Sequence, residues 1–332
     1  MCTSISFPAH ALFGRTLDLE TSFGEQVVVT PRNYAFHFHH RPSVSNHFAM
    51  IGMASVVNQV PLYAEAANEK GLYMAGLNFP GNASYFEQTD LGRENLAPYE
   101  LIPLVLGTCA TLAQARRLLE NVHLTAEPFA PGYPVAPLHW HIADATGSLV
   151  AEPMDDGLHL YENPADVLTN NPPFPFQLMN LNNYQMLSPK PPENHFAPAL
   201  DLRTYGQGMG AIGLPGDTSP MSRFVRAAFL RGNAVMDMDD PVRIEQFFHV
   251  LGGVSMVRGS VITPEGKNDE TRYACCIDGA CGVYYYKTYE NSRINAVSLF
   301  DEDLDGEQPR LFPLVRGPQI HFVNKPRGSD TL

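Results

Sequence analysis

Met1-Cys2-Thr3-Ser4-Ile5-Ser6-Phe7 opens the chain. On its own, a cysteine at position 2 is an ordinary small residue at a chain start. It acquires chemistry if Met1 is removed, as an initiator methionine normally is when the next residue is small. Cys2 then carries a thiol and an α-amine on adjacent carbons. An amine titrating at about 7.7–8.0 is a built-in base for a thiol titrating near about 8.5. No histidine partner is needed, as with N-terminal threonine nucleophiles. The stretch lacks a basic n-region and an apolar h-region, so it does not read as a signal peptide. The location expected by default is the cytoplasm.

Outward from the terminus, short alternating segments separated by turn signals dominate. Gln26–Thr30 is β-branched and stops at Pro31. Tyr34–His40 alternates, with Phe36 and Phe38 on one face and histidines on the other. Three hairpins are expected: Leu62–Asn68 with Leu72–Asn78, Leu138–Ala143 with Ser148–Glu152, and Arg272–Ile277 with Val283–Thr288. Thr111 can cap a helix over Leu112–Val122. Asp217 or Thr218 can cap another through Pro220 to Leu230, with Gly232 as its stop. A further helix starts at Asp240-Pro241 and runs to Gly252. With no domain-length linker and no internal repeat, residues 1–332 read as a single α+β domain of layered antiparallel sheets.

Composition narrows the partners. The 332 residues are 44% hydrophobic, enough for a sizeable core, and carry a formal net charge of -13. That balance argues against nucleic acid and anionic membranes, where a basic face is expected. No apolar run approaches the roughly 18 residues of a membrane span. The five cysteines (Cys2, Cys109, Cys275, Cys276 and Cys281) are too unevenly placed for a disulfide framework.

Other motifs fail on their context. Gly208-Met209-Gly210-Ala211-Ile212-Gly213 matches a dinucleotide fingerprint but runs into Pro215 and Gly216 instead of a helix. Asp301–Gly306 opens like a calcium loop, but its twelfth position is Phe312. The histidines at 37, 39, 40, 47, 139 and 141 lack partners at metal-ligand spacing, so neither a metal nor another cofactor is expected.

An N-terminal nucleophile also needs something to orient its amine, and donors for a tetrahedral oxyanion. Phe13-Gly14-Arg15-Thr16-Leu17-Asp18, Gly76-Leu77-Asn78-Phe79-Pro80-Gly81, Leu168-Thr169-Asn170-Asn171-Pro172 and Gly213–Asp217 through Ser222-Arg223-Phe224-Val225-Arg226 supply candidates. With Cys2 in front of this ordered set, the chain resembles the choloylglycine hydrolase family of bile salt hydrolases and penicillin V acylases. The resemblance runs from Met1 to about Phe300. It implies an N-terminal-nucleophile αββα sandwich, usually a homotetramer. By resemblance, Cys2 is the nucleophile and Asp18 holds its amine. Arg15 stands beside the thiol and favours thiolate. Asn170 (side chain) and Asn78 (backbone N–H) receive the oxyanion, and Arg223 completes the polar network. Thr16 departs from the family's frequent asparagine, and Asn171 beside Asn170 leaves a slip of one residue open.

Singly, each residue has an ordinary alternative. Arg15 and Asp18 could be a surface ion pair, Asn78 and Asn170 turn residues, and Arg223 a solvated helix charge. Asn78 leans toward bile salt hydrolases, since many penicillin V acylases have tyrosine there. Leu17, Phe23, Val57 and Ala64 match the family's steroid-pocket positions, with plain core packing as the alternative. Phe129, Tyr133 and Val135 lie on a loop that could cap such a pocket. The resemblance implies cleavage of glycine- or taurine-conjugated bile acids through a thioester, with acyl transfer to amines as a side activity. The alternatives are a penicillin V or other N-acyl amide hydrolase, and a non-catalytic bile-acid-binding protein.

Overall fold

All three expected hairpins form, and their strands join two large antiparallel sheets in the computed structural model of the chain. The structure describes residues 1–324, and the last stretch of the expected domain, 325–332, lies outside the described residues. With strands numbered along the chain, the six-stranded sheet runs β12 (Val167–Leu168), β1 (Cys2–Phe7), β2 (Leu12–Leu19), β13 (Glu270–Asp278), β14 (Val283–Thr288), β15 (Asn295–Ser298). The eight-stranded sheet runs β11 (Gly157–Glu162), β10 (Gly147–Met154), β9 (Leu138–Asp144), β6 (Tyr73–Asn78), β5 (Val60–Asn68), β4 (Met50–Val57), β3 (Gln26–Thr30), β16 (Arg310–Pro313). A small parallel pair, β7 (Glu94–Leu96) and β8 (Val122–Leu124), stands apart.

The inner faces of the two sheets pack on each other, with Phe13 stacked on Tyr73 at 5.5 Å. Helices α1 (Leu101–Thr108) and α2 (Leu112–Leu119) cover the outer face of the eight-stranded sheet around the buried Trp140. On the other side α4 (Pro220–Asn233) and α5 (Val242–Gly252) cover the six-stranded sheet, where Phe7 meets Phe247 edge-on at 5.8 Å. The short α3 (Phe174–Asn180) abuts α4. The result is the αββα sandwich that the family resemblance implies, built from the layered antiparallel sheets read from the strand pattern. Among the described residues no helix is long and apolar enough to cross a membrane.

Four local expectations need correction. Residues 34–40 make no strand, only an isolated bridge between Phe36 and Val44. Both edges of the neighbouring β3 are taken by β4 and β16, so no ladder is open to this segment. Thr111 does cap α2, accepting from the Gln114 N–H, but the helix stops at Leu119 and Val122 begins β8. The N-cap position of α4 is Ser219, and Asp217 instead accepts from the Ser219 N–H (2.9 Å) and the Ser222 hydroxyl (2.6 Å). That helix passes through Gly232 to Asn233. Helix α1 was not expected at all, because a helix buried nearly all round shows no amphipathic period.

Register positions the site. Cys2 lies opposite Leu17 and Ser4 opposite Arg15, while Arg15 lies opposite Cys275 and Leu17 opposite Tyr273. Alternate strand residues share a face, so Cys2, Arg15, Leu17, Tyr273 and Cys275 look toward the eight-stranded sheet. Thr3, Thr16 and Asp18 look the other way, toward α4. Each large sheet carries an irregularity close by. In β13 the register shifts between Thr271 and Tyr273, and β5 carries an extra residue, Ala64, between Tyr63 and Glu65. Bulges of this kind re-aim side chains beside functional sites.

Candidate active site

Because β1 is sandwiched between β12 and β2, Cys2 is reached from both sides. From the β12 side, Asn170 Oδ1 accepts the Cys2 N–H at 2.9 Å. The Asn170 side-chain amide donates to the Asn78 carbonyl at 2.7 Å, which ties the end of β6 to the terminus. Gln177 in α3 steadies this loop, donating to the Asn170 carbonyl and accepting from the Thr169 hydroxyl. From α4, the wholly buried Arg223 donates to the Cys2 carbonyl, to Thr3 Oγ1 at 2.6 Å and to Asn170 Oδ1 at 2.7 Å. Burial pulls the Arg223 guanidinium below its ordinary value, against the opposing charges of Asp18, Cys2 and Asp269.

Asp18 is also fully buried, and burial raises its carboxyl above the usual range while Arg223, the terminal ammonium and the Thr271 hydroxyl pull it back. Its side chain accepts from Thr271 Oγ1 at 2.6 Å and Thr16 Oγ1 at 3.3 Å. With Met1 in place, the single Cys2 N–H goes to Asn170, so the expected bond from that nitrogen to Asp18 is not made. The Asp18 backbone meets the terminus instead: its N–H donates to the Met1 carbonyl at 2.8 Å, and its carbonyl accepts from the Met1 ammonium. Asp269 stands 3.4 Å from the same ammonium.

The thiol side is built differently. Strands β5 and β6 pair only from Glu65–Ala75 to Ala67–Tyr73 and then separate. Arg15 reaches across the sandwich into this opening, donating from Nη1 to Gly76 O at 2.6 Å and Ala64 O at 3.3 Å, and from Nε to Thr16 O at 3.3 Å. Glu65 Oε2 lies 3.5 Å from Nη1, and both side chains have no exposed surface. Burial acts to lower the Arg15 value, but Cys2, Tyr273, Glu65 and Tyr73 overcome it, so the guanidinium is held charged more firmly than usual. Arg15 Nη2 is buried and has no hydrogen-bond partner among the described residues.

A nucleophile candidate between two buried arginines, with amide donors at its edge, is an arrangement suited to acyl chemistry, and comparison with known proteins agrees. The profile of the choloylglycine hydrolase family, described as linear amide C–N hydrolases, matches residues 2–312. The chain belongs to that family. It is 44% identical over 325 residues to the bile salt hydrolase/transferase of Lactiplantibacillus plantarum (strain ATCC BAA-793 / NCIMB 8826 / WCFS1), covering 98% of this chain and 100% of the relative. It is 36% identical over 329 residues to the bile salt hydrolase/transferase of Clostridium perfringens (strain 13 / Type A), covering 98% and 100%. The crystal structure of a mutant conjugated bile acid hydrolase from Clostridium perfringens superposes with a TM-score of 0.91 at 36% identity, over 98% of this chain and 100% of that one. A penicillin V acylase from Agrobacterium tumefaciens shares the fold at a TM-score of 0.75 and 21% identity, over 95% and 92% of the two chains.

Within this choloylglycine hydrolase fold, Cys2, Arg15, Asp18, Asn78, Asn170 and Arg223 gather around the terminus. Arg15 and Asp18 are no surface pair: they point to opposite faces of β2, both fully buried. The pocket residues divide. Leu17 sits beside Cys2 in the core, and Ala64 is the bulge whose carbonyl meets Arg15. Phe23 is half-buried against the core, and Val57 is half-buried at the end of β4. Phe129 packs edge-on against Tyr99 at 5.3 Å and Tyr133 at 5.7 Å, and Val135 is half-buried further along the same loop. Phe129 lines a cleft of about 240 Å³ with Tyr34, Phe38, His39, Val60 and Tyr99. None of the residues around Cys2 lines that cleft. Strand β5 connects the two, since Pro61 borders the cleft and Ala64 contacts Arg15, about 10 Å further along at the usual strand rise.

Sequence reasoning missed Glu65, Thr271, Asp269 and Gln177. For Glu65 a faint signal existed, an acid inside a strand of otherwise apolar character. The histidines have protein partners: His39 meets Glu100 at 3.2 Å, His139 meets Glu152 at 3.1 Å, and His141 meets Ser4 Oγ at 2.9 Å.

Proposed function

We propose that this chain cleaves the amide bond joining a bile acid to glycine or taurine, using the Cys2 thiol once Met1 has been removed. The observation that carries the proposal is the treatment of Cys2: its N–H and carbonyl are both held by buried side chains, while Arg15 stands on its thiol side. The Cys2 amine, drawn toward Asp18, takes the thiol proton, and the thiolate attacks the amide carbonyl. The tetrahedral oxyanion is received by the second N–H of the Asn170 amide and by the Asn78 backbone N–H, a contribution of about 3–4 kcal/mol per well-placed donor in comparable sites. Collapse breaks the C–N bond, the ammonium gives its proton to the departing amine, and a thioester remains on Cys2. Water, activated by the same amine, releases the bile acid and regenerates the thiol. An amine in place of water gives the transferase reaction that the relatives' names include.

The steroid is assigned to Leu17, Phe23, Val57 and Ala64, with Phe129, Tyr133 and Val135 as a cap. Burying apolar ring surface there contributes about 25 cal/mol per Å². The reading takes the chain as one domain that acts in the cytoplasm as a homotetramer. Large exposed apolar side chains between α3 and α4, among them Met186, Phe196 and Tyr205, support self-association.

The test is amine release from glycocholate, taurocholate and penicillin V by the purified protein. Faster release from either bile salt is expected. Cleavage of penicillin V alone would overturn the substrate class and keep the Cys2 chemistry.

A further inference from the structure

The inner face of the sandwich holds an ionisable group that this chemistry does not use. Glu65 has no exposed surface, and every polar contact it makes is with a donor. The Tyr273 hydroxyl donates to Oε2 at 2.7 Å, the Tyr284 hydroxyl to Oε1 at 2.6 Å, and the Cys275 thiol lies 3.5 Å from Oε1. The Arg15 guanidinium stands 3.5 Å from Oε2. Two hydroxyls, a thiol and a guanidinium converge on its two oxygens, a set from which an ionised carboxylate can accept throughout. The surroundings are built for a carboxylate.

Its side chain reaches this position only through the bulge at Ala64. Tyr63 packs with the helix-covered outer layer, and strict alternation would send Glu65 there too. The extra residue turns Glu65 inward, paired with Met53 of the inner core. The same Ala64 carbonyl accepts from Arg15. Arg15 is therefore fixed in place by the carbonyls of Gly76, Ala64 and Thr16, whether or not Glu65 is charged. What the carboxylate adds is a countercharge.

We propose that Glu65 is a positioning residue that sets how strongly Arg15 acts on the Cys2 thiol, by balancing the guanidinium from the side away from the nucleophile. The inference rests on the reading of Cys2 as the nucleophile. The groups that face this pair are Arg15 from β2, Tyr73 from β6, Tyr273 and Cys275 from β13, and Tyr284 from β14. On the far side of Cys2 stand Asp18 and Arg223. Of these, Arg15 and Glu65 alone form an ion pair on the thiol side. Burial raises the Glu65 carboxyl, and Arg15 with the hydroxyl and thiol donors opposes that rise.

The experiment is the rate of Cys2 alkylation by iodoacetamide against pH, read by mass spectrometry of the N-terminal peptide so that the exposed Cys281 does not contribute. With Glu65→Gln the guanidinium loses its countercharge. The alkylation midpoint then falls by about one pH unit, a tenfold change in acidity, and the acid limb of kcat/KM moves down with it. Glu65→Asp restores most of the shift. Tyr284→Phe, which removes one donor to the carboxylate and leaves its charge site in place, moves the midpoint in the same direction by less and serves if Glu65→Gln does not fold. An unchanged or raised midpoint in a folded variant overturns the proposal, whatever happens to stability. Turnover that survives Cys2→Ala would overturn the nucleophile reading instead, so the two failures are distinguishable.

Discussion

Arg15 and Arg223 are both wholly buried, both stand beside Cys2, and are held in opposite ways. Arg15 has a carboxylate at 3.5 Å and three backbone carbonyls; it is kept charged more firmly than an ordinary arginine. Arg223 donates to neutral oxygens, those of Cys2, Thr3, Thr218 and Asn170, and pairs with no carboxylate within 4 Å among the described residues. Burial therefore wins there and lowers its value. One arginine is an electrostatic device tuned by a countercharge. The other is a clamp that immobilises the backbone of the terminus. The two sides of a single strand residue thus separate thiol chemistry from amine placement.

Keeping Met1 would break this division most severely. A lysine inserted after Met1 blocks its removal and leaves the thiol without a free amine on its own residue. Loss of a general base predicts a fall in kcat/KM of about 10²–10⁴-fold, checked by amine release alongside the intact mass.

Removing each arginine in turn sharpens the contrast. Arg15→Met leaves Glu65 buried without its partner, and a loss of about 3–5 kcal/mol in unfolding free energy is expected. Arg223→Met leaves neutral acceptors unpaired, at about 1–3 kcal/mol, and removes a charge that holds down the Asp18 carboxyl without pairing with it directly. Denaturant titrations of the two variants give the order directly, and adding Glu65→Gln to Arg15→Met recovers most of the loss.

On the amine side, Thr271→Val deprives Asp18 of its 2.6 Å donor. A drop of about tenfold in kcat/KM, or about 1.4 kcal/mol, is expected with alkylation of Cys2 unaltered. The smallest effect belongs to a surface counterpart of the buried pair, Arg32–Glu69 at 2.6 Å. Hydrogen bonds from Arg32 hold the Glu69 carboxyl below its ordinary 4.5. Its contribution is present above that pH and lost as pH falls through the lowered value. Arg32 is partly exposed, so Arg32→Gln should cost under about 1 kcal/mol and flatten the acid limb of the stability curve.

Much of the site was legible through the ordered set of motifs that carries the choloylglycine hydrolase resemblance, since each residue taken singly had an ordinary alternative. Cys2 at the terminus, Arg15 and Asp18 in one strand, and Asn170 before a proline could all be picked out in order. The hairpins were legible because period-two alternation and turn residues are local signals. Glu65 was not, since a one-residue bulge reverses the face of everything after it and alternation cannot announce it. Helix α1 was hidden by burial on all sides, and residues 34–40 misled because alternation does not say whether a neighbouring strand edge is free. Thr271, Asp269 and Gln177 act through contacts more than 240 residues, or one loop, away from what they hold, beyond any local pattern.

The central claim is that the Cys2 thiol performs the attack. Its most direct test is glycine release from glycocholate by the wild-type chain and by Cys2→Ala, both confirmed folded by thermal unfolding and both confirmed by mass to lack Met1. The account predicts release by the wild type and none above background from Cys2→Ala. Comparable release by the two proteins would contradict it.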